Sequence, residues 1–168
     1  MKIELTNNTD IPAIFKLYDD ATALQQQIGN NSWKRYKQEL IESEIAENRH
    51  YKITEDDEIA CTFLVAYKNP VLWKDDGRDG AIYLHRVATN SDFRGRSYMT
   101  KIVNWAIDYA KENKLDFIRL DTGSGNDNIN KYYERCGFTY KGIQEINWTP
   151  DLPEHYKDGS FSLFEMKV

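Results

Sequence analysis

The alternation Lys2-Ile3-Glu4-Leu5 predicts a half-buried strand, and the run Asn7-Asn8-Thr9-Asp10 behind it supplies turn residues ending in a helix N-cap at Asp10. From there Ile11, Ile14, Phe15, Leu17 and Tyr18 recur at helical spacing, and Gly29-Asn30-Asn31 stops the element. A second helix is expected from about Trp33 to Glu47. Residues 50–54 and 58–67 read as two strands of a hairpin, joined by the acidic tip Glu55-Asp56-Asp57, whose charges are expected to be solvated. Residues 69–80, rich in Pro, Gly and Asp, form a loop, and Ala81 to Thr89 is a further long strand with Ile82, Leu84 and Val87 apolar.

The connection Asn90-Ser91-Asp92-Phe93-Arg94-Gly95-Arg96 leads into a strong helix from about Ser97 to Asn113, on which Met99, Ile102, Val103, Ala106 and Ala110 share one stripe. Phe117 to Thr122 is a short strand consistent with burial, so residues 81–122 form a β-α-β crossover, which forces parallel pairing. A short helix from Asn126 to Cys136 is closed by Gly137. Phe138 to Ile146 and Phe161 to Met166 are the last strands, around a polar loop from Asn147 to Gly159. The order βαα-βββ-αβ-αββ describes an α/β (α+β) protein, a mixed sheet of about seven strands flanked by four helices. With 168 residues, the chain is expected to be one domain, 1–168.

Charge narrows the classes of partner. There are 22 Lys and Arg against 27 Asp and Glu, a formal net charge of -5 and a pI near 5.3, with no long basic run. A protein that neutralises phosphates along a nucleic acid carries the opposite sign, so nucleic acid is disfavoured. No apolar run approaches the ~20 residues of a bilayer span, and the start lacks a signal peptide's apolar stretch. No membrane role and a cytoplasmic location are expected. Cys61 and Cys136 show neither a C-x-x-C pair nor His at zinc spacing, so they read as reduced packing thiols and no metal is expected.

Two constellations could carry chemistry. The first is Phe93-Arg94-Gly95-Arg96-Ser97-Tyr98-Met99, a basic glycine loop opening a helix after a strand. Unpaired N–H groups and the positive end of the dipole make such a helix start an anion site. The other reading is that Ser97 caps the helix and both arginines are solvated. The second constellation runs from Asn126 through Ile129, Tyr132 and Tyr133 to Gly137-Phe138. Adjacent tyrosines lie ~100° apart on a helix, so both cannot face the core. An amphipathic helix with a Gly C-cap and a Phe plug would explain the same residues.

Together the two resemble the GNAT superfamily of acyl-CoA-dependent N-acetyltransferases. The family's phosphate-loop pattern, Arg/Gln-x-x-Gly-x-Gly/Ala, aligns with Arg94, Gly95, Arg96, Ser97, Tyr98 and Met99, and its later Asn, Tyr and Gly-Phe fit Asn126, Tyr133, Gly137 and Phe138. Ser97 and Met99 stand where the pattern has small residues. The Ser97 hydroxyl can cap the helix and donate to a phosphate, and Met99 is expected to turn into the core.

The resemblance implies a centrally splayed sheet and coenzyme binding by the backbone of Val87, Ala88 and Thr89, by the loop residues Arg94 to Met99 with Thr100, and by Asn126, for which a helix N-cap is the alternative. It implies acetyl-CoA as donor and Tyr133 as the acid protonating the leaving sulfur, with Tyr132 as its packing neighbour. Tyr83 aligns with the catalytic Glu of some members. His85, two residues on, is the base candidate, beside the alternative of a strand histidine bonded to a neighbour. The acceptor, expected to be a small-molecule primary amine, would meet residues around Gln25 to Trp33 and the 147–159 loop with Trp148, Glu154, His155 and Tyr156. The acidic pairs Asp19-Asp20 and Asp75-Asp76 are expected to be solvated. A non-catalytic acyl-CoA sensor remains the rival reading, and a homodimer is left open by the sequence.

Overall fold

The computed structural model describes residues 1–28, 33–152, 156–157 and 159–168, so the expected helix stop at Gly29-Asn30-Asn31 lies outside the described residues. Met1–Val65 with His85–Tyr98 make one compact unit, and Ala66–Leu84 with Met99–Val168 the other. In chain order the elements are β1 (Lys2–Leu5), α1 (Ile11–Gln27), α2 (Gln38–Ala46), β2 (His50–Glu55), β3 (Glu58–Ala66), β4 (Ala81–Thr89), α3 (Tyr98–Glu112), β5 (Phe117–Gly123), α4 (Asp127–Arg135), β6 (Thr139–Glu145) and β7 (Ser160–Lys167). Hydrogen bonding orders the strands β1-β2-β3-β4-β5-β7-β6 in a seven-stranded mixed sheet, with β4 the strand common to both units. The expected element order is the observed one.

In the first unit, α1 starts at Ile11 with Asp10 in the N-cap position, as expected, although the Asp10 side chain makes no capping hydrogen bond to the helix. Asn7 caps the preceding 3-10 turn Asn8–Asp10: its side chain accepts from the Thr9 N–H while the Asp10 carboxylate accepts from the Asn7 N–H at 2.8 Å, a capping box. The same carboxylate also pairs with Lys52 at 2.9 Å. Ile11, Ile14, Leu17 and Tyr18 of α1 bury against Ile41 of α2 and Ala88 of β4. The second helix begins at Gln38 rather than Trp33. Trp33 and Tyr36 set their rings against Tyr18, centroids 5.6 and 5.5 Å away, and Lys37 is extended, so this packing holds residues 33–37 out of the helix.

His50 on β2 is fully buried between Tyr18, whose hydroxyl lies 2.8 Å from Nε2, and Thr6, 3.1 Å from Nδ1. Burial, and secondarily the charge of Arg86, push its imidazole down to about 3, so it is neutral. β2 and β3 form the expected hairpin; Asp56 and Asp57 take φ of 54° and 61°, the left-handed pair of a type I′ turn.

In the second unit, β4 and β5 pair in parallel from Ala81↔Phe117 to Leu84↔Leu120, as the crossover requires. β5 pairs antiparallel with β7 along its whole length, and β7 with β6. The stripe Met99, Ile102, Val103, Ala106 and Ala110 of α3 is buried throughout. Among the described residues no helix is long and apolar enough to cross a membrane, and no His, Cys, Asp or Glu cluster could hold a metal ion.

The loop before β4 corrects one expectation. Asp75 is not solvated but 2 % exposed. It accepts from the N–H groups of Gly77, Arg78 and Asp79 and from the Tyr83 hydroxyl at 2.8 Å. Burial alone would raise its carboxyl, but these donors outweigh it and hold the group below the usual range. Arg119 donates to the same hydroxyl, to Asp79 and to Glu165 at 2.8, 2.7 and 2.8 Å, with its guanidinium 4.7 Å from the Trp73 ring. Asp76 behaves as expected, exposed and paired with Arg78.

Replacing Asp75 strands four donors at once. Asp75→Ala is expected to lower unfolding free energy by about 3 kcal/mol at pH 7 in urea titrations. A change below about 0.5 kcal/mol, the scale of an ordinary surface substitution, would show that this carboxylate does not hold the loop.

Candidate active site

In the first unit, β4 ends on Val87 and Thr89, both half-buried, with Ala88 buried between them. The Thr89 hydroxyl reaches the sulfur of fully buried Cys61 at 3.6 Å, and burial pushes that thiol up to about 11. The Asn90 N–H donates to the Ala60 carbonyl, and the Asn90 side chain caps the turn Ser91–Phe93.

The chain then makes a basic turn before α3. Gly95 has φ of +82° and Ser97 of +55°, two left-handed residues within three, a backbone form that gathers N–H groups into an anion-binding concavity. A Cβ built at Gly95 meets nothing within 4 Å, so the space beside it is open. The exposed Arg94 side chain pairs with none of the described residues. These features, feeding the N-terminus of a 15-residue helix, fit a diphosphate.

The left-handed Ser97 shows why glycine suits that position and differs from the extended backbone of a capping residue. Met99 is buried, 5 % exposed, so its bulk is taken up by the core as expected; Thr100 is exposed and hydrogen-bonds Cys136.

The hairpin tip also departs from expectation. Glu55 is not merely solvated: one oxygen accepts from Arg96 Nη1 at 2.9 Å and the other from the Tyr98 hydroxyl. Arg96 additionally lies over the Phe93 ring, 4.7 Å from its centroid. Burial first, then the Glu55 hydrogen bond, push the Tyr98 phenol up to about 12. The β2–β3 tip therefore braces the basic turn.

In the second unit, Asn126 accepts from the Ile129 N–H at 3.1 Å, so it is the N-cap of α4. Tyr133 packs its ring against Phe164 and Phe138, with centroids 5.2 and 6.3 Å away. Tyr132, 38 % exposed, lies with its ring 5.6 Å from that of Tyr133, as a packing neighbour. No hydrogen bond to the Tyr133 hydroxyl is made among the described residues. Burial, reinforced by Tyr132 and Asp121, raises its pKa, so the phenol stays protonated at neutral pH.

Tyr83, at the aligned Glu position, is fully buried and locked between Asp75 and Arg119, which leaves it no part as a base. His85 is half-buried on β4, and the strand leaves extended geometry at the next residue, Arg86, with φ of +48°.

Asp121 on β5 escaped the sequence reading. Burial pushes its carboxyl up to about 7, and Asn69 Nδ2 lies 3.4 Å from Oδ1. Its only signal was an acid ending the apolar run of β5. Of the expected acceptor-side residues, Gln25 accepts from the Trp33 N–H, Trp148 carries the Lys157 ammonium 5.1 Å from its ring and Tyr156 packs on Phe161. Glu154 and His155 lie outside the described residues.

Comparison with known proteins agrees with this geometry. Residues 12–138 match the Acetyltransferase (GNAT) family. The uncharacterized N-acetyltransferase YesJ of Bacillus subtilis is 27 % identical over 122 residues, 68 % of each chain. A GNAT-family acetyltransferase structure from Listeria monocytogenes superposes with a TM-score of 0.77 at 23 % identity, covering 99 % of this chain and 94 % of that one. A Bacillus subtilis acetyltransferase solved in complex with CoA shares the fold at a TM-score of 0.61 and 17 % identity, over 99 % and 98 % of the two chains. With the family pattern spanning most of its length, from α1 to the start of β6, this chain belongs to the GNAT family of acetyltransferases.

Proposed function

We propose that the protein transfers an acetyl group from acetyl-CoA to the primary amine of a small molecule by direct attack on the thioester. The observation that carries this reading is the turn Arg94–Ser97: two left-handed residues, open space beside Gly95 and an unpaired arginine at the start of α3. The CoA held by a structural neighbour supports it.

In this reading the turn's N–H groups and Arg94 hold the diphosphate, and the backbone of Val87, Ala88 and Thr89 hydrogen-bonds the pantetheine arm as a neighbouring strand would. The donor supplies an activated acetyl thioester. A backbone N–H of β4 polarises the thioester carbonyl. The amine nitrogen forms the new C–N bond as the C–S bond breaks, and Tyr133, held protonated by its buried setting, donates to the departing sulfur.

An alkyl amine with a pKa of ~10.4 is neutral in only about one molecule in a few thousand at pH 7, so a base is required. His85 is the base proposed from sequence. Asp121 is a second candidate, because a carboxyl that titrates near 7 accepts protons in the working range.

Three outcomes are expected. Arg94→Ala raises the coenzyme A dissociation constant about tenfold in calorimetry, the scale of one charged phosphate contact; an unaltered constant removes the turn as the cradle. Tyr133→Phe lowers kcat by about 100-fold with coenzyme affinity preserved, and unchanged turnover excludes it as the acid.

The base must be deprotonated to act, so kcat/KM should rise with pH through its pKa and level off above it. Whichever of His85→Ala and Asp121→Asn flattens that rise identifies the base, and a rise that survives in both assigns the role to water. Coenzyme binding without thiol release on a broad amine panel would establish the sensor reading instead.

A further inference from the structure

In the first unit, a buried ion pair among α1, α2 and β4 is only half used. Arg86 stands mid-strand with φ of +48°, a left-handed setting that is rare for a residue with a side chain and persists where the surroundings impose it, most often at functional sites. Its guanidinium lies over the rings of Tyr36 and Tyr18, 4.6 and 5.8 Å from their centroids, and Nη2 donates to Oε1 of Glu44 on α2. Trp33 closes edge-on against Tyr18 and Tyr36. The other atoms of the pair, Arg86 Nη1 and Glu44 Oε2, are buried with no hydrogen-bond partner among the described residues, on side chains only 10 % and 4 % exposed.

The two orphan atoms are chemically opposite: Nη1 can only donate, and Oε2 belongs to the carboxyl that accepts from Arg86. Burial raises the Glu44 carboxyl, the Arg86 charge opposes that rise, and the contact with the guanidinium leaves Oε2 as the acceptor. Buried groups of this kind are almost always satisfied in folded proteins. The other charges around the pair are matched: His50 is neutral, Lys52 is paired with Asp10, and Arg49, which also acts on Glu44, is paired with Glu47. An anion alone would leave the Glu44 oxygen unmet, and a cation alone the Arg86 nitrogen. A net-neutral molecule offering an acceptor and a donor on adjacent groups meets both, and the zwitterionic head of an amino acid is such a group.

We propose that Arg86 and Glu44, walled by Tyr18, Tyr36 and Trp33, recognise the acceptor, and that the acceptor is an α-amino acid whose carboxylate takes Arg86 Nη1 and whose amino group faces Glu44 Oε2. The proposal rests on the acyl-transfer reading and specifies its amine. Arg86 directly precedes Val87, the first β4 residue assigned to the pantetheine arm, which sets the recognised group beside the donor-binding backbone.

The test compares each of the twenty amino acids with its α-carboxamide as acceptor for the full chain and acetyl-CoA, measuring thiol release. The amide keeps the amine and side chain and loses only the carboxylate charge. At least one amino acid should show kcat/KM about 30-fold or more above its amide, the scale of a charge-assisted hydrogen bond lost from a buried site. Arg86→Gln should erase that preference by slowing the acid and not the amide, and Arg86→Lys should restore part of it.

Removing Arg86 strands Glu44 in a buried site, so the ratio in the unaltered protein decides the question if the variant fails to fold. Equal rates for acids and amides, or transfer only to amines without a carboxylate, would overturn the proposal and leave the orphan atoms to a buried water. Acyl transfer itself would then stand. Absence of both coenzyme A binding and thiol release would overturn the acyl-transfer reading, and this one with it.

Discussion

Four residue pairs, Ala81↔Phe117 to Leu84↔Leu120, carry the parallel register between β4 and β5, although β4 runs five residues further and β5 keeps its bonding to β7 as far as Gly123. Backbone N–H and C=O groups need partners wherever they lie. The second half of β4 is therefore organised by other constraints: the left-handed turn at Arg86, the handover at Asn90 to Ala60 and the capped turn that delivers the chain to Arg94. The coenzyme-binding role proposed above falls to this half-strand and the turn after it.

Carboxylates do much of the positioning. Asp75 gathers three N–H groups and the Tyr83 hydroxyl, Glu55 braces Arg96 and Tyr98, and Glu44 anchors Arg86. In each case an acid from a loop, hairpin tip or helix fixes a side chain more than 35 residues away or a loop of its own neighbourhood. The site's basic turn and the buried Arg86 are thus set by charges distant in the chain.

That arrangement marks what was legible in advance. Apolar spacing identified the strands and the buried stripe of α3, because burial of one face imposes a period that survives in the sequence. The basic turn and the Asn126 to Phe138 helix were also readable, since their residue types and spacing are local. Residues 33–37 misread as helix because their course depends on stacking against Tyr18, a partner in another element. Asp75 and Glu55 misread as solvated for the same reason: runs of acids normally face water, and only the fold reveals the donors aimed at them. The left-handed φ of Arg86 and the near-neutral titration of Asp121 have no local signature at all.

In the proposed acyl transfer the product carries a free thiol, which bears on the chain's two cysteines. Cys61 is sealed beneath Thr89, and burial keeps both it and Cys136 protonated beyond their ordinary range. Disulfide exchange proceeds through the thiolate and needs access to sulfur. Both conditions are suppressed at Cys61 and the first at Cys136. Under that proposal the protein can accumulate a thiol product, or sit in an oxidising mixture, with little tendency to form mixed disulfides with it.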